Sequence, residues 1–447
     1  MNNTKGGVEV STTAFFVEFC CYDTPKSTVQ NTKLSGQPLI CQLLSFLPKE
    51  IISSSVAQFE SDKYYKTMTT YKQLVFMLYG VVSKSSSLNS LCKSMLFLEG
   101  KLSYLGIKEL PASSTLSDAN RRRGSEVFEH IYYQLLDYYK DELRGGFHCL
   151  PINNEAACDK IKRFDATTFT LFSDIFKGAG RNAVDGNKKG GVKAQTLMPY
   201  DGLVPEYVHL GAAAKNDKDF LGQLQVQKGY TYVFDKGYVN YHVYQQWDRK
   251  GVYFVTRLNE NASYKVIERN PVDCFDIANG QGVISDELVE LKLNSSKSTV
   301  NFRLITYKDP NSGKILRFLT NQYQYSNLTI ALIYKNRWAI EPFFKQLKQN
   351  YQLSYFFSDE QEGIMTQIWI ALIANLIFTI IFQRIKQAEQ FTTIVNMARC
   401  NMGSYICFIT LVKQTKLSAA DRNNEKIQLD LFENLKGGLF QNTIKSP

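Results

Sequence analysis

The chain has 447 residues, room for about two to four domains. Its 44% hydrophobic against 21% charged residues exclude a wholly disordered chain and predict a buried core. A net charge of +10 favours an anionic partner such as nucleic acid.

Residues 1–35 are polar and predict a loose tail, with a short strand near Thr13–Cys20. No basic start leads into an apolar run, so no signal peptide is expected and the location expected is cytoplasmic. The nine cysteines are odd in number and lack a C-x-x-C, and none of the four histidines has zinc-ligand spacing. Reduced thiols and no zinc site follow.

Residues 36–145 predict a helical domain. Pro38 opens a short apolar helix that Pro48 stops, and Thr69 or Thr70 caps a second one running through Val82. A third spans about Ser86 to Leu98, ended by Gly100. Ser113 or Ser114 then caps a long helix through about Tyr139, with Asn120, Arg121, Arg122 and Arg123 in its early turns. Such a helix can enter a DNA major groove, or it can be a packing helix with a solvated basic turn. Three successive arginines span about 200° of a helix, so they cannot all face DNA.

The core is expected over 158–256 and 323–385. Arg163–Phe172 is rich in Thr and Phe and predicts a strand, in which Asp165 is out of place unless a metal offsets its burial. A loop from Gly178 to Gly191 carries Arg181, Lys188 and Lys189. Strands over Val192–Met198 and Glu206–Leu210 are joined through Asp201-Gly202. A short apolar strand from Tyr230 ends at Asp235, which is either a site residue at a strand's C-terminal end or a turn residue before Gly237. A helix over Asn240–Arg249 leads to the strand Val252–Thr256. Residues 257–322 alternate apolar and polar and predict a β-rich insertion. Ile364–Phe382 is nearly long enough to span a membrane, but Gln367, Asn375 and Thr379 make a buried core helix the better reading. Residues 386–447 are expected to be helical and then a tail.

The run Tyr334–Lys348 carries the most chemistry. Read as one helix, it places Tyr334, Arg337, Glu341, Lys345 and Lys348 in a strip about 80° wide. One carboxylate among cations suits a metal-binding acid flanked by groups that hold phosphates. It also suits a surface helix in which Glu341 pairs with Arg337 and Lys345. Pro342, directly after the acid, should kink or restart the helix.

Tyr334, Arg337, Glu341 and Lys348 match in spacing the YREK signature of bacterial insertion-sequence DDE transposases, and the chain resembles that family. Arg337-Trp338, Ile340-Glu341 and Phe343-Phe344-Lys345 resemble it too, as do Gln42–Phe46 and Ser114–Asn120. The resemblance implies an α/β fold: a ribonuclease-H-like mixed sheet with an inserted β-rich domain and an N-terminal helical DNA-binding domain. Asp165, Asp235 and Glu341 would be catalytic and would hold Mg²⁺ or Mn²⁺, two ions about 4 Å apart, for in-line phosphoryl transfer. Tyr334, Arg337, Lys345, Lys348 and Arg121–Arg123 would contact DNA. The implied partners are terminal inverted repeats and target DNA, bound by a homodimer at the bacterial nucleoid. The alternative is a DNA-binding protein whose ribonuclease-H-like core is inactive.

Overall fold

Nine strands form one mixed sheet, in the order β3-β2-β1-β4-β5-β9-β8-β7-β6. The computed structural model describes residues 36–143, 158–171, 190–214, 220–272, 282–293, 298–385 and 390–414. The expected strand at Thr13–Cys20, most of the loop with Arg181, Lys188 and Lys189, and the chain beyond 414 lie outside the described residues.

The strands are β1 Ile161–Thr170, β2 Gly191–Pro199, β3 Tyr207–Ala212, β4 Thr231–Val233 and β5 Tyr253–Arg257. β1, β2 and β3 form an antiparallel meander, and β4 and β5 add in parallel on the other side of β1. This 3-2-1-4-5 order, antiparallel then parallel, is the ribonuclease-H-like arrangement. β6 Tyr264–Asn270, β7 Gly282–Lys292, β8 Thr299–Lys308 and β9 Ile315–Thr320 come from the β-rich insertion. They do not stand apart from the core. β9 pairs antiparallel with β5, so the insertion extends the same sheet. Sequence alternation shows that a strand has one buried face, but it does not show which edge the strand joins.

The helices before β1 are α1 Leu39–Leu44, α2 Lys49–Phe59, α3 Thr70–Ser83, α4 Leu88–Ser94, α5 Ser113–Arg122, α6 Glu126–Tyr138 and α7 Lys140–Leu143. Thr69 caps α3, its side chain accepting from the Lys72 N–H. Pro48 does end the first helix, but it also opens α2, where its missing donor costs nothing. The long helix expected from Ser113 to Tyr139 is two helices. Arg123 breaks it in extended conformation, with φ −82° and ψ 127°.

Later helices are α8 Tyr241–Arg249, α9 Asn327–Lys335, α10 Ile340–Asn350, α11 Gln361–Ile385, α12 Phe391–Asn401 and α13 Phe408–Gln414. α11 is the centre of the molecule, with every residue from Gly363 to Ile381 buried. It is apolar enough to cross a membrane, yet α3, α5, α6 and α12 pack around it. Gln367 and Asn375 within it have partners. Gln367 Nε2 donates to the carbonyls of Gln352 (2.6 Å) and Tyr355 (2.9 Å), its Oε1 accepts from Phe357 N–H, and Asn375 accepts from Gln346.

The N-terminal helices share one apolar core with α10, α11 and the face of β1 and β2 that carries Phe169, Val192 and Ala194. The opposite face, with Phe164, Tyr232, Phe234 and Phe254, packs on α8. Ile161, Val233 and Val255 are turned toward α9.

Candidate active site

The register of β1 and β4 brings two acids together. Arg163 pairs with Val233, and two residues further along each chain stand Asp165 and Asp235. A step of two preserves the face, so both carboxylates leave the sheet on the α9 side, just past the C-terminal end of β4. Asp235 directly precedes a short 3₁₀ turn, Lys236–Tyr238, and Gly237 lies within that turn.

The third acid arrives on α10. The segment Tyr334–Lys348 is not one helix: α9 ends at Lys335, a 3₁₀ turn covers Asn336–Ala339, and α10 restarts at Ile340. Pro342 sits in the first turn of α10, where no backbone donor is needed. Asn336 Nδ2 anchors the turn by donating to the Tyr200 carbonyl at 3.3 Å.

That turn places the guanidinium of Arg337 between two acids. Nη1 lies 2.9 Å from Asp165 Oδ2 and Nη2 lies 3.0 Å from Glu341 Oε1. The hydroxyl of Tyr334 donates to Asp235 Oδ1 at 3.0 Å. All three acids are thus engaged by side chains of one short segment. Burial pushes the Asp165 carboxyl above its ordinary range. Arg337 and the Ala166 N–H pull it down, and the charges of Asp235 and Glu341 raise it again. Burial likewise raises the Tyr334 phenol, with Asp235 adding to it. For Arg337, burial opposes the charge, but Tyr334 and the surrounding acids outweigh it and its pKa is raised.

The residues expected to contact DNA have the following surroundings. Tyr334 is fully buried and Arg337 nearly so, and both face the acids rather than a solvent groove. Lys345 is exposed. Lys348 lies over the Phe169 ring and donates to the Thr168 carbonyl at 2.9 Å, and partial burial lowers its pKa. Arg123 is buried and holds the carbonyls of Ser61 (3.0 Å) and Met68 (2.7 Å). Arg121 and Arg122 are exposed, both beside Asp118.

One residue the sequence reading missed also positions the site. Arg303 on β8 grips Asp286 on β7 through two nitrogens, and its Nη1 donates to the carbonyls of Gln322 (3.1 Å) and Tyr325 (2.7 Å). It ties the insertion to the loop that feeds α9. The available signal was an acid and a base inside alternating strand segments, where charge is depleted.

The donor set suits a hard divalent cation: three carboxylates, oxygen only, gathered around positive charge. The Arg337 guanidinium already stands in for such a charge. Among the described residues no three acidic, histidine or cysteine side chains lie close enough to ligate one ion as placed. The guanidinium fills the space between Asp165 and Glu341.

Residues 157–377 match the family model of the transposase DDE domain, and residues 35–108 match a domain of unknown function, DUF4372. A protein of Sinorhizobium fredii named as transposase y4zB is 27% identical over 273 residues, 60% of this chain and 71% of that one. A protein of Synechocystis named as the transposase of element IS4SA is 24% identical over 366 residues, 80% and 95% of the two chains. A protein named as the transposase of element IS5377 from Geobacillus stearothermophilus is 22% identical over 51% of this chain and 58% of its own length. Among solved structures, a piggyBac transposase synaptic complex with hairpin DNA overlaps 92% of this chain and 87% of its own at 11% identity, TM-score 0.41.

The ribonuclease-H-like sheet and the domain matched over it define a DDE transposase, a class of enzyme that uses divalent metal ions for DNA phosphoryl transfer. The chain is an insertion-sequence transposase.

Proposed function

We propose that Asp165, Asp235 and Glu341 are the catalytic, metal-holding acids of this transposase, and that it cleaves and joins DNA at the terminal repeats of its own element. The observation that carries this reading is the convergence of three acids, from β1, the end of β4 and α10, on one buried guanidinium and one buried phenol. A pair of Mg²⁺ or Mn²⁺ ions held there would activate the attacking oxygen and stabilise the leaving one. The chain's own residues orient the acids. β1 and β4 fix the aspartates in register, the 3₁₀ turn presents Arg337, and Tyr334 holds Asp235.

Tyr334, Arg337, Glu341 and Lys348 keep the spacing of the YREK signature, with Lys345 exposed beside them. In this reading Lys345, Lys348 and the exposed Arg121 and Arg122 meet DNA phosphates, and Arg337 joins them when it leaves the acids. The enzyme works on the two ends as a homodimer. The test is cleavage of linear DNA carrying the element's own ends. Asp165→Ala, Asp235→Ala and Glu341→Ala each abolish cleavage while end binding stays near wild type. Full cleavage by any of the three, or cleavage in the presence of a chelator, removes the assignment.

A further inference from the structure

Arg337 is placed as a competitor of the metal as well as a partner of DNA. Its side chain is only 5% exposed, and both outer nitrogens are spent on carboxylates from two different elements. Its Nε is buried without a hydrogen-bond partner. A guanidinium held this way keeps the acids from repelling one another. It also fills the space between Asp165 and Glu341, which a divalent cation would need, and two positive groups cannot share the same oxygens. The arrangement has an exit. Glu341 is 58% exposed, so the pair opens to solvent on that side. Arg337 sits in a 3₁₀ turn between two α-helices, Asn336–Ala339, a geometry that often marks a hinge. A planar fork that suits two carboxylates suits two phosphate oxygens equally well.

We propose that Arg337 is an internal counter-ion that makes metal binding wait for DNA: a DNA phosphate draws the guanidinium off Asp165 and Glu341, and the two freed carboxylates then accept the divalent ion. This rests on the reading of those carboxylates as metal ligands. Tyr334 extends the device, because the same segment holds Asp235 through its hydroxyl. The coupling is reciprocal, so a bound divalent ion must also strengthen the grip on DNA.

The test is Mn²⁺ binding to the full-length protein, read by electron paramagnetic resonance of the free ion at mildly alkaline pH. The partner is a short random-sequence duplex, which supplies phosphates without a recognition sequence. Wild type gains about tenfold or more in Mn²⁺ affinity when the duplex is added, as expected if the capped arrangement dominates without DNA. Arg337→Gln binds Mn²⁺ without DNA about as tightly as wild type with it, and the duplex adds little more. Arg337→Lys, which keeps the charge but lacks the planar two-nitrogen fork, falls between them. A thermal melt of each variant shows that it is folded, and Arg337→Lys carries the test if Arg337→Gln is not. Asp165→Asn separates the two claims. If it leaves Mn²⁺ binding unchanged, the ligand reading fails and the proposal fails with it. If it removes Mn²⁺ binding while folded Arg337 variants bind the ion no better than wild type, the ligands stand and the counter-ion role is overturned.

Discussion

Arg123→Met separates packing from DNA contact at the one arginine of the basic triplet that the structure buries. Its guanidinium holds the carbonyls of Ser61 and Met68 and the side-chain oxygen of Gln73, and it lies 4.0 Å over the Tyr65 ring. Asp62, at 3.4 Å, is partly exposed and also accepts from Thr70, so that ion pair adds little. The loss is therefore set by acceptors left buried and unmet, each costing about 1–3 kcal/mol. Methionine fills much of the volume, which puts the whole change at about 3–5 kcal/mol, the range for removing one side of a buried polar network. At about 2.1 cal/mol/K of unfolding entropy per residue, a chain of this size moves its midpoint by about 1 °C for each kcal/mol, so the melt should fall by about 3–5 °C. The assay is a thermal melt beside DNA binding measured against salt, both below the variant's transition. Arg121→Ala and Arg122→Ala, exposed beside Asp118, should shift the melt by under about 0.5 kcal/mol of stability and act only on binding. An Arg123→Met protein that melts like wild type, or that is folded yet has lost DNA, would refute the packing role.

Lys348→Ala should weaken binding to all DNA ends alike and lower the salt slope by about one unit, and an unchanged slope would show that Lys348 only packs on Phe169. Asp165 has a pKa raised above its ordinary 3.8, so its ionisation costs folding free energy. With a chelator present, its contribution to stability is full below 3.8 and is lost as pH rises through the raised value. Asp165→Asn removes that slope, so a plot of its midpoint minus wild type's should rise with pH, and a flat plot would count against the burial. Gln367→Leu leaves the Phe357 N–H and two carbonyls without their partner in the core, and the melt should report a loss of about 2–4 kcal/mol. An unchanged melt would mean that α11 needs only its apolar surface.

Local chemistry made a good part of this protein legible in its sequence. Thr69 could be read as a cap because capping needs one oxygen and a few following residues. Asp165 could be singled out because a carboxylate inside a Thr- and Phe-rich strand is costly without a reason, and Pro342 because its missing donor must fall in a first turn. The alternation in 282–320 showed strands, and the interruptions in 364–382 marked a core helix whose polar groups would need partners.

What tertiary structure decided were the pairings, since the energy of a pair depends on distances that sequence separation does not contain. The strands of the insertion join the core sheet through β5 and β9, a choice between edges that alternation leaves open. Arg121, Arg122 and Arg123 are the same residue type in a row. Only the loop from Ser61 to Met68 and the side chain of Gln73, folding around the third, turn it from a surface charge into a buried pin. From the sequence Tyr334 and Arg337 suit contact with DNA, and Arg337 equally suits a pair with Glu341. The register of β1 with β4 and a four-residue 3₁₀ turn place them against Asp165, Asp235 and Glu341, because acids attract the nearest donors and the fold decides which donors are near.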